Sequence, residues 1–145
     1  MNTLKNVLVL CTGNSCRSQI AHGWLSYFTG GTAAIYSAGI EVHGVNSKAV
    51  ATMAEEGIDI SGYTSNLVEE YNVVDFDFII TVCDHAAENC PIIPSVNAER
   101  IHCNFSDPSK LKSTDEEKIK DAFRETRKEI KEYCEKFVKS KLSLA

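Results

Sequence analysis

Short apolar runs alternate with helix-like patterns along the whole chain. Four of these runs have the length and composition of strands, at residues 7–10, 34–37, 76–83 and 100–103. Strands that alternate with helices usually pair in parallel, because a crossover helix brings the chain back to the same end of the sheet. The pattern therefore predicts an α/β fold: a parallel four-stranded sheet with helices on both sides. In such a fold, a binding site is expected in the loops that follow the carboxyl ends of the strands.

Three helices are predicted from apolar residues that recur every three or four positions. The first, around residues 20–28, ends at Gly30, and the second runs from a cap at Asn46 to Gly57. The third is long, and it begins where Thr114 and Glu117 form the spacing of a capping box. Its lysines and glutamates lie opposite an apolar stripe, so we expect them to form a solvated outer face.

Length and charge limit the classes of function. A chain of 145 residues with 43% apolar content suits one domain, residues 1–145. The formal net charge is −5, from 15 basic and 20 acidic residues, which argues against a nucleic-acid partner. No apolar run has transmembrane length, and no signal-peptide cleavage pattern follows the N-terminus. We expect a monomer in the cytoplasm that binds no membrane.

The six cysteines make thiol chemistry the main question. Cytosolic thiols are kept reduced, so a permanent disulfide framework is not expected, whereas transient catalytic or redox-sensing bonds are. Cys134 belongs to the apolar stripe of the last helix, and we expect both Cys134 and Cys103 to be ordinary buried thiols.

The junction between the first strand and the first helix has the features of an anion site. A strand that turns sharply into a helix leaves backbone N–H groups unpaired, and the helix dipole adds positive potential. Gly13 permits a tight loop, Asn14 tolerates a left-handed conformation, and Arg17 supplies a planar fork for two oxygens. Such surroundings lower a thiol pKa from about 8.5 to roughly 3.5–7.5, so Cys11 is predicted to be a thiolate nucleophile, with the Ser18 hydroxyl donating to its sulfur.

This junction resembles the catalytic loop of the low-molecular-weight protein tyrosine phosphatases, which have a Rossmann-like fold. Their loop reads Cys-x-Gly-Asn-x-Cys-Arg-Ser, and "CTGNSCRS" matches it at every specified position. The resemblance implies that Cys11 is the nucleophile and Arg17 the oxyanion ligand. We call the segment that would bind the oxyanion the oxyanion loop, and it consists of Thr12, Gly13, Asn14, Ser15, Cys16, Arg17 and Ser18.

An Asp-Pro pair further along the chain supplies a candidate general acid. The oxygen that leaves a phosphate or arsenate must take a proton, and Asp107, before Pro108 in "FSDPSK", looks like the family's acid. The alternative is that Asp107 only starts a turn before proline. The phosphatases generally have a tyrosine at the next position, against which an aromatic substrate packs. Ser109 stands there in this chain, which weakens the phosphatase interpretation.

Two further cysteines flank the segment "TVCDHAAENCP". Cys83 closes the most strand-like run and Cys90 follows seven positions later, a spacing too wide for the usual zinc pattern. A zinc site that uses these cysteines with His85 or His102 is an alternative. Two thiols beside an activated thiolate are better explained as a relay for disulfide exchange.

With these cysteines, the resemblance narrows to the thioredoxin-coupled arsenate reductases of the phosphatase-like class. It extends over nearly the whole chain, through "LCTGNSCRSQ", "YSAGIE", "GIDIS", "TVC", "NCP" and "DP". It implies that Cys11 attacks arsenic while Asp107 protonates the departing oxygen, and that Cys83 then attacks Cys11 and releases arsenite. Cys90 next forms a disulfide with Cys83, which thioredoxin reduces. The implied role is arsenic detoxification, without a bound cofactor.

Departures from this family give further expectations. Its members bind potassium through an Asn, a Glu, a Ser and an Asp, whereas the matching positions here are Asn14, His22, Ser37 and Asn66. Both carboxylates are missing, and a hard cation prefers anionic oxygen, so we expect no metal site. Cys103 stands where the family usually has tryptophan.

Other functions stay open at this point. The main alternative is a phosphatase that hydrolyses phosphomonoesters through a phosphocysteine, and residual phosphatase activity is compatible with a reductase. A non-enzymatic sensor of oxyanions or metals is a third class. Glutaredoxin is an alternative to thioredoxin as the reductant.

Overall fold

The computed structural model of the chain describes residues 4–83 and 97–142. Within these ranges the sheet contains β1 (Lys5–Cys11), β2 (Ala33–Gly39), β3 (Phe78–Thr81) and β4 (Glu99–His102). The α-helices of the same ranges are α1 (Arg17–Thr29), α2 (Ser47–Ala54) and α3 (Glu116–Lys141). Two short 3₁₀ helices, Val68–Tyr71 and Pro108–Lys110, lie in the connecting segments.

The four strands form one parallel sheet in the order β2-β1-β3-β4, which confirms the predicted sheet. β1 is a central strand and is buried on both faces, so it is apolar at consecutive positions instead of alternating. Val7 and Val9 face the main core, formed with α1, α2 and α3. Leu8 and Leu10 face a smaller core, which the segment around the 3₁₀ helix Val68–Tyr71 covers.

The helix boundaries follow local chemistry. Gly30 adopts a left-handed φ of 55° and its N–H bonds the Ser26 carbonyl, which ends α1 as predicted. The Asn46 side chain accepts hydrogen bonds from the backbone N–H groups of Lys48 and Ala49, which confirms the predicted cap of α2.

Several predicted boundaries were wrong, among them the end of α2, which stops at Ala54 rather than at Gly57. Asp115, not Thr114, caps α3, since its carboxylate accepts a hydrogen bond from the Glu117 N–H at 3.0 Å. The third strand begins at Phe78 rather than 76 and ends at Thr81; just before it, the Asp77 carboxylate accepts a hydrogen bond from the Asn6 N–H. No helix in the described part of the chain is long and apolar enough to cross a membrane.

Candidate functional site

A cavity of about 430 Å³ opens at the carboxyl end of β1. It brings together most of the predicted site residues that lie within the described ranges, and its lining comes from residues 11–17 and from two other segments, residues 41–43 and 107–110. The lining consists of Cys11, Thr12, Gly13, Ser15, Cys16, Arg17, Glu41, His43, Asp107, Ser109 and Lys110. The cavity therefore lies where parallel sheets usually place ligands.

The oxyanion loop has the conformation of an anion cradle. Asn14 adopts a φ of 47°, the left-handed value that the sequence predicted it would tolerate. The carbonyls of Thr12 and Gly13 accept hydrogen bonds from the segment after β2, at 2.9 and 3.0 Å. The backbone N–H groups of residues 13–17 donate to no other described residue. Unpaired N–H groups before a helix are donors for an anion.

The Arg17 side chain is held by contacts of two of its nitrogens, and its third nitrogen is left without a partner among the described residues. Its side chain is buried, its Nη1 donates to the Phe105 carbonyl at 2.9 Å, and its Nη2 lies 3.4 Å from Asp107 Oδ2. Its Nε has no hydrogen-bond partner among the described residues. A buried donor without a partner is costly, and an oxyanion at this position would satisfy it.

Cys11 and Cys83 form a buried pair of thiols beside this arginine. They hydrogen-bond to each other, and Thr12 Oγ1 lies 3.3 Å from Cys83 Sγ. The hydrogen bond with Cys83 raises the pKa of Cys11, and burial raises it further, whereas Arg17 and the Thr12 N–H lower it. The expected lowering of the Cys11 pKa is thus wrong for this geometry, because the neighbouring thiol outweighs the positive loop.

Two other residues of the loop, Ser18 and Cys16, have surroundings different from those of Cys11. Ser18 was expected to donate to the Cys11 sulfur, but its hydroxyl oxygen accepts a hydrogen bond from Asn14 Nδ2 at 2.9 Å and no bond to Cys11 is present. Burial and the nearby Asp107 carboxylate raise the pKa of Cys16 to about 12 against the effect of Arg17. Cys16 is therefore a neutral thiol that lines the cavity.

Asp107 lies at the cavity and also starts a turn. Its Oδ1 accepts hydrogen bonds from Ser109 N at 3.0 Å and from Ser109 Oγ at 2.6 Å. Its Oδ2 faces Arg17. This arrangement places a carboxyl group beside the arginine, where a general acid would stand.

A second hydrogen-bond network lies behind the loop. His22 Nδ1 is 2.8 Å from Ser37 Oγ, and that hydroxyl donates to Gln19 Oε1 at 3.4 Å. Gln19 Nε2 in turn donates to the Asn14 carbonyl at 2.9 Å. Burial lowers the pKa of His22 to about 4, so its ring is neutral near pH 7. This network fixes the left-handed residue of the loop.

The remaining cysteine predictions have mixed outcomes. Cys90 and His85 lie outside the described residues, so only Cys83 and His102 of the alternative zinc set are described. No cluster of three or more metal-binding side chains occurs among the described residues. Cys134 is buried, as expected, and its thiol contacts the Ala21 carbonyl at 3.8 Å. Cys103 is only partly buried, which corrects the expectation for that residue.

The sequence interpretation missed three residues at the cavity, Glu41, His43 and Lys110, and it did not foresee that the hydroxyl of the predicted loop residue Thr12 would contact Cys83. Glu41 and His43 follow the carboxyl end of β2, next to β1 in the sheet, so the rule that located Cys11 would also have located them. His43 Nε2 lies 2.7 Å from Glu41 Oε2 at the cavity's edge.

Known proteins are similar to this chain in sequence and in fold. The family model for low molecular weight phosphotyrosine protein phosphatase matches residues 6–143. An arsenate reductase from Halalkalibacterium halodurans is 51% identical over 126 residues, which cover 87% of this chain and 89% of that protein. A solved arsenate reductase in the oxidized state aligns at a TM-score of 0.78 with 33% identity, over 94% of this chain and 98% of the other. A tyrosine phosphatase from Erwinia amylovora has the same fold, with a TM-score of 0.78 at 21% identity over 95% and 93% of the two chains.

Proposed function

Because the chain belongs to the low molecular weight phosphotyrosine protein phosphatase family, as the sequence resemblance implied, we propose that it uses this fold to reduce arsenate to arsenite. The observation that carries the proposal is the hydrogen-bonded pair of Cys11 and Cys83 beside Arg17. A phosphatase needs one nucleophilic thiol, whereas reduction of arsenic needs two electrons and hence two thiols. The similarity to arsenate reductases supports the same conclusion.

In the first step, arsenate enters the oxyanion loop and Cys11 attacks arsenic. The free N–H groups of the loop and Arg17 Nε bind its oxygens and stabilise the charge that develops on them. A sulfur–arsenic bond forms and an arsenic–oxygen bond breaks. Asp107 delivers a proton to the departing oxygen, which leaves as water. Cys11 loses its thiol proton when its sulfur attacks, so the step consumes no net proton.

In the second step, the Cys83 thiolate attacks the sulfur of Cys11. A disulfide forms, the sulfur–arsenic bond breaks, and its electron pair stays on arsenic, which is reduced from As(V) to As(III) and leaves as arsenite. The Thr12 hydroxyl, 3.3 Å from Cys83 Sγ, is placed to donate to that thiolate. The hydrogen bond between the two thiols supports this step, because it holds the two sulfurs next to each other.

Regeneration is the part of the proposal that rests on the family resemblance. Cys90 would attack Cys83, and the Cys83–Cys90 disulfide would be reduced by thioredoxin. The protein would then act in arsenic detoxification as a cytoplasmic monomer, with arsenate and thioredoxin as its partners and no bound cofactor. We expect Cys90→Ser to release one arsenite per chain and then stop, and sustained thioredoxin-driven turnover by that variant would contradict the relay.

A residual phosphatase activity is a second candidate, because phosphate and arsenate share their shape and charge. The side chain beside Asp107 is Ser109, and Glu41, His43 and Lys110 make the rest of the cavity rim polar. We therefore expect hydrolysis of phosphomonoesters to be slow and to show no preference for aromatic esters.

The test is arsenate-dependent oxidation of NADPH in the presence of thioredoxin and thioredoxin reductase. Wild type, Cys83→Ser and the matched control Cys103→Ser would be compared. We expect the first variant to be inactive and the control to keep its activity, because Cys103 does not line the cavity. Inactive, folded and reduced wild type would contradict thioredoxin dependence, and glutaredoxin would then replace thioredoxin in the same assay.

A further inference from the structure

The two carboxyl oxygens of Asp107 have different surroundings. Oδ1 accepts two hydrogen bonds from one residue, from Ser109 N at 3.0 Å and from Ser109 Oγ at 2.6 Å. Oδ2 lies on the other side, 3.4 Å from Arg17 Nη2, a contact too long for a strong hydrogen bond. Asp107 and Ser109 both line the cavity that also contains Cys11.

This difference decides where the proton of the acid form resides. An oxygen that accepts from both a backbone N–H and a hydroxyl has little room for a hydrogen of its own. We propose that Ser109 is a positioning residue, which holds Oδ1 so that Oδ2, beside Arg17 and the bound oxyanion, carries the proton for the departing oxygen. This inference rests on the proposed function and adds a residue to its first step.

The serine hydroxyl is the specific part of this arrangement. The backbone N–H bond to Oδ1 is available from any residue at position 109 except proline, and it belongs to the turn that Asp107 caps. The hydroxyl adds a second donor on the same oxygen, and two donors prevent the carboxyl group from rotating. A catalytic group must be held in its productive orientation, because small errors of position reduce the rate strongly.

The chain contains a matched control for this contact. Asp59 and Ser61 form the same arrangement, with Asp59 Oδ1 accepting from Ser61 N at 2.9 Å and from Ser61 Oγ at 2.5 Å. Neither residue lines the cavity. Ser61→Ala therefore removes the same kind of hydrogen bond without affecting the site.

The experiment measures arsenite formation in a single turnover by pre-reduced protein, so no external reductant or partner is needed. We expect Ser109→Ala to lower the maximum rate about tenfold, part of the roughly 10²- to 10⁴-fold that a positioned acid contributes, with little change in the half-saturating arsenate concentration. Ser109→Thr should restore the rate, because threonine keeps the hydroxyl. Ser61→Ala should change the rate by less than about twofold.

A double-mutant comparison tests whether Ser109 acts through Asp107. In the Asp107→Asn background, Ser109→Ala should have no further effect. A tenfold loss in that background as well would overturn the proposal, as would a wild-type rate for Ser109→Ala or for Asp107→Asn alone. If wild type itself forms no arsenite, the proposed function fails together with this inference. If wild type forms arsenite and Ser109→Ala matches it, only this inference fails.

Discussion

The two sides of the oxyanion loop differ in how completely their polar groups are paired. On the cavity side, the N–H groups of residues 13–17 and Arg17 Nε lack partners among the described residues, and Cys11 is paired only with another thiol and its local backbone. On the opposite side, a continuous set of hydrogen bonds connects Asn14, Gln19, Ser37 and His22. The hydrogen-bonded side thus holds the loop in place, so that the unpaired N–H groups on the cavity side are already oriented for an anion, as preorganised sites require.

The largest effect should come from the reactive group of the cavity side. Cys11→Ser replaces the sulfur that attacks arsenic in the proposed mechanism with a hydroxyl that is not ionised near neutral pH, so we expect no arsenite above background. The fold should be unchanged, since serine and cysteine have similar size. The measurement is arsenite release in a single turnover. Cys134→Ala, which alters a buried thiol that does not line the cavity, is the control and should keep the wild-type rate.

The next effect concerns the opposite side, through Asn14. Its side chain accepts from the Asn66 N–H at 2.8 Å and donates to Ser18 Oγ at 2.9 Å, and its backbone is left-handed. Asn14→Ala leaves the buried Ser18 hydroxyl and the half-buried Asn66 N–H without their partner and puts alanine at a positive φ, so we expect the free energy of unfolding to fall by about 3–5 kcal/mol. Urea denaturation measures it. Asn14→Gly should recover about 1 kcal/mol of this loss, and a loss below about 1 kcal/mol for Asn14→Ala would contradict the role of the network.

These two sides also show what the sequence could predict. The cavity side was largely predictable, because Cys11, Gly13 and Arg17 act at one strand–helix junction whose chemistry is local. The Asp107 site followed from the family's Asp-Pro motif. By contrast, the Cys83 thiol reaches Cys11 only through the pairing of β1 and β3, and its effect on the Cys11 pKa reverses the local expectation.

The opposite side could not be predicted from local patterns. His22 and Ser37 are distant in sequence and meet only because α1 packs against β2, so no local pattern in α1 indicates this contact. The cap of α3 was misplaced for another reason. Thr114 and Asp115 are both good capping residues, and only the position of the helix decides between them.

His22 should make stability depend on pH in a defined window. Its pKa is about 4 in the folded state, below the ordinary 6.5, so the unfolded chain binds the proton first as the pH falls. The contribution of neutral His22 to the free energy of unfolding is fully present above about pH 6.5. It is lost progressively down to about pH 4, by up to about 3 kcal/mol. Glu55, whose pKa is lowered from 4.5 to about 2, loses its contribution only at lower pH. Urea denaturation between pH 4.5 and 6.5 measures the slope, which His22→Gln should flatten; an unchanged slope in that variant would show that His22 is not its source.

A smaller effect concerns the thiol pair of the cavity side. The hydrogen bond with Cys83 is the main cause of the raised Cys11 pKa, so Cys83→Ala should lower that pKa and increase the thiolate fraction at neutral pH. A fall of one unit corresponds to about a tenfold faster alkylation of Cys11 by iodoacetamide. Mass spectrometry of the labelled peptide follows the rate. Cys103→Ala should leave it unchanged, and a slower reaction in Cys83→Ala would show that Cys83 activates Cys11.

The smallest expected effect is that of potassium, which should stimulate arsenite formation no more than sodium does at the same ionic strength. His22 occupies the place of one missing carboxylate and bonds Ser37, while the Asn66 amide bonds Thr64 and Glu70. The side chains at the matching positions are already paired and uncharged, so they offer a hard cation no anionic oxygen, and the Glu70 carboxylate beside Asn66 is itself bound by the Asn66 amide and the Leu67 N–H. The double substitution His22→Glu and Asn66→Asp introduces both carboxylates and should create a potassium response in single-turnover kinetics. A large response already present in wild type would mean that the network behind the loop is not closed to cations, and that the contrast between the two sides is weaker than the structure indicates.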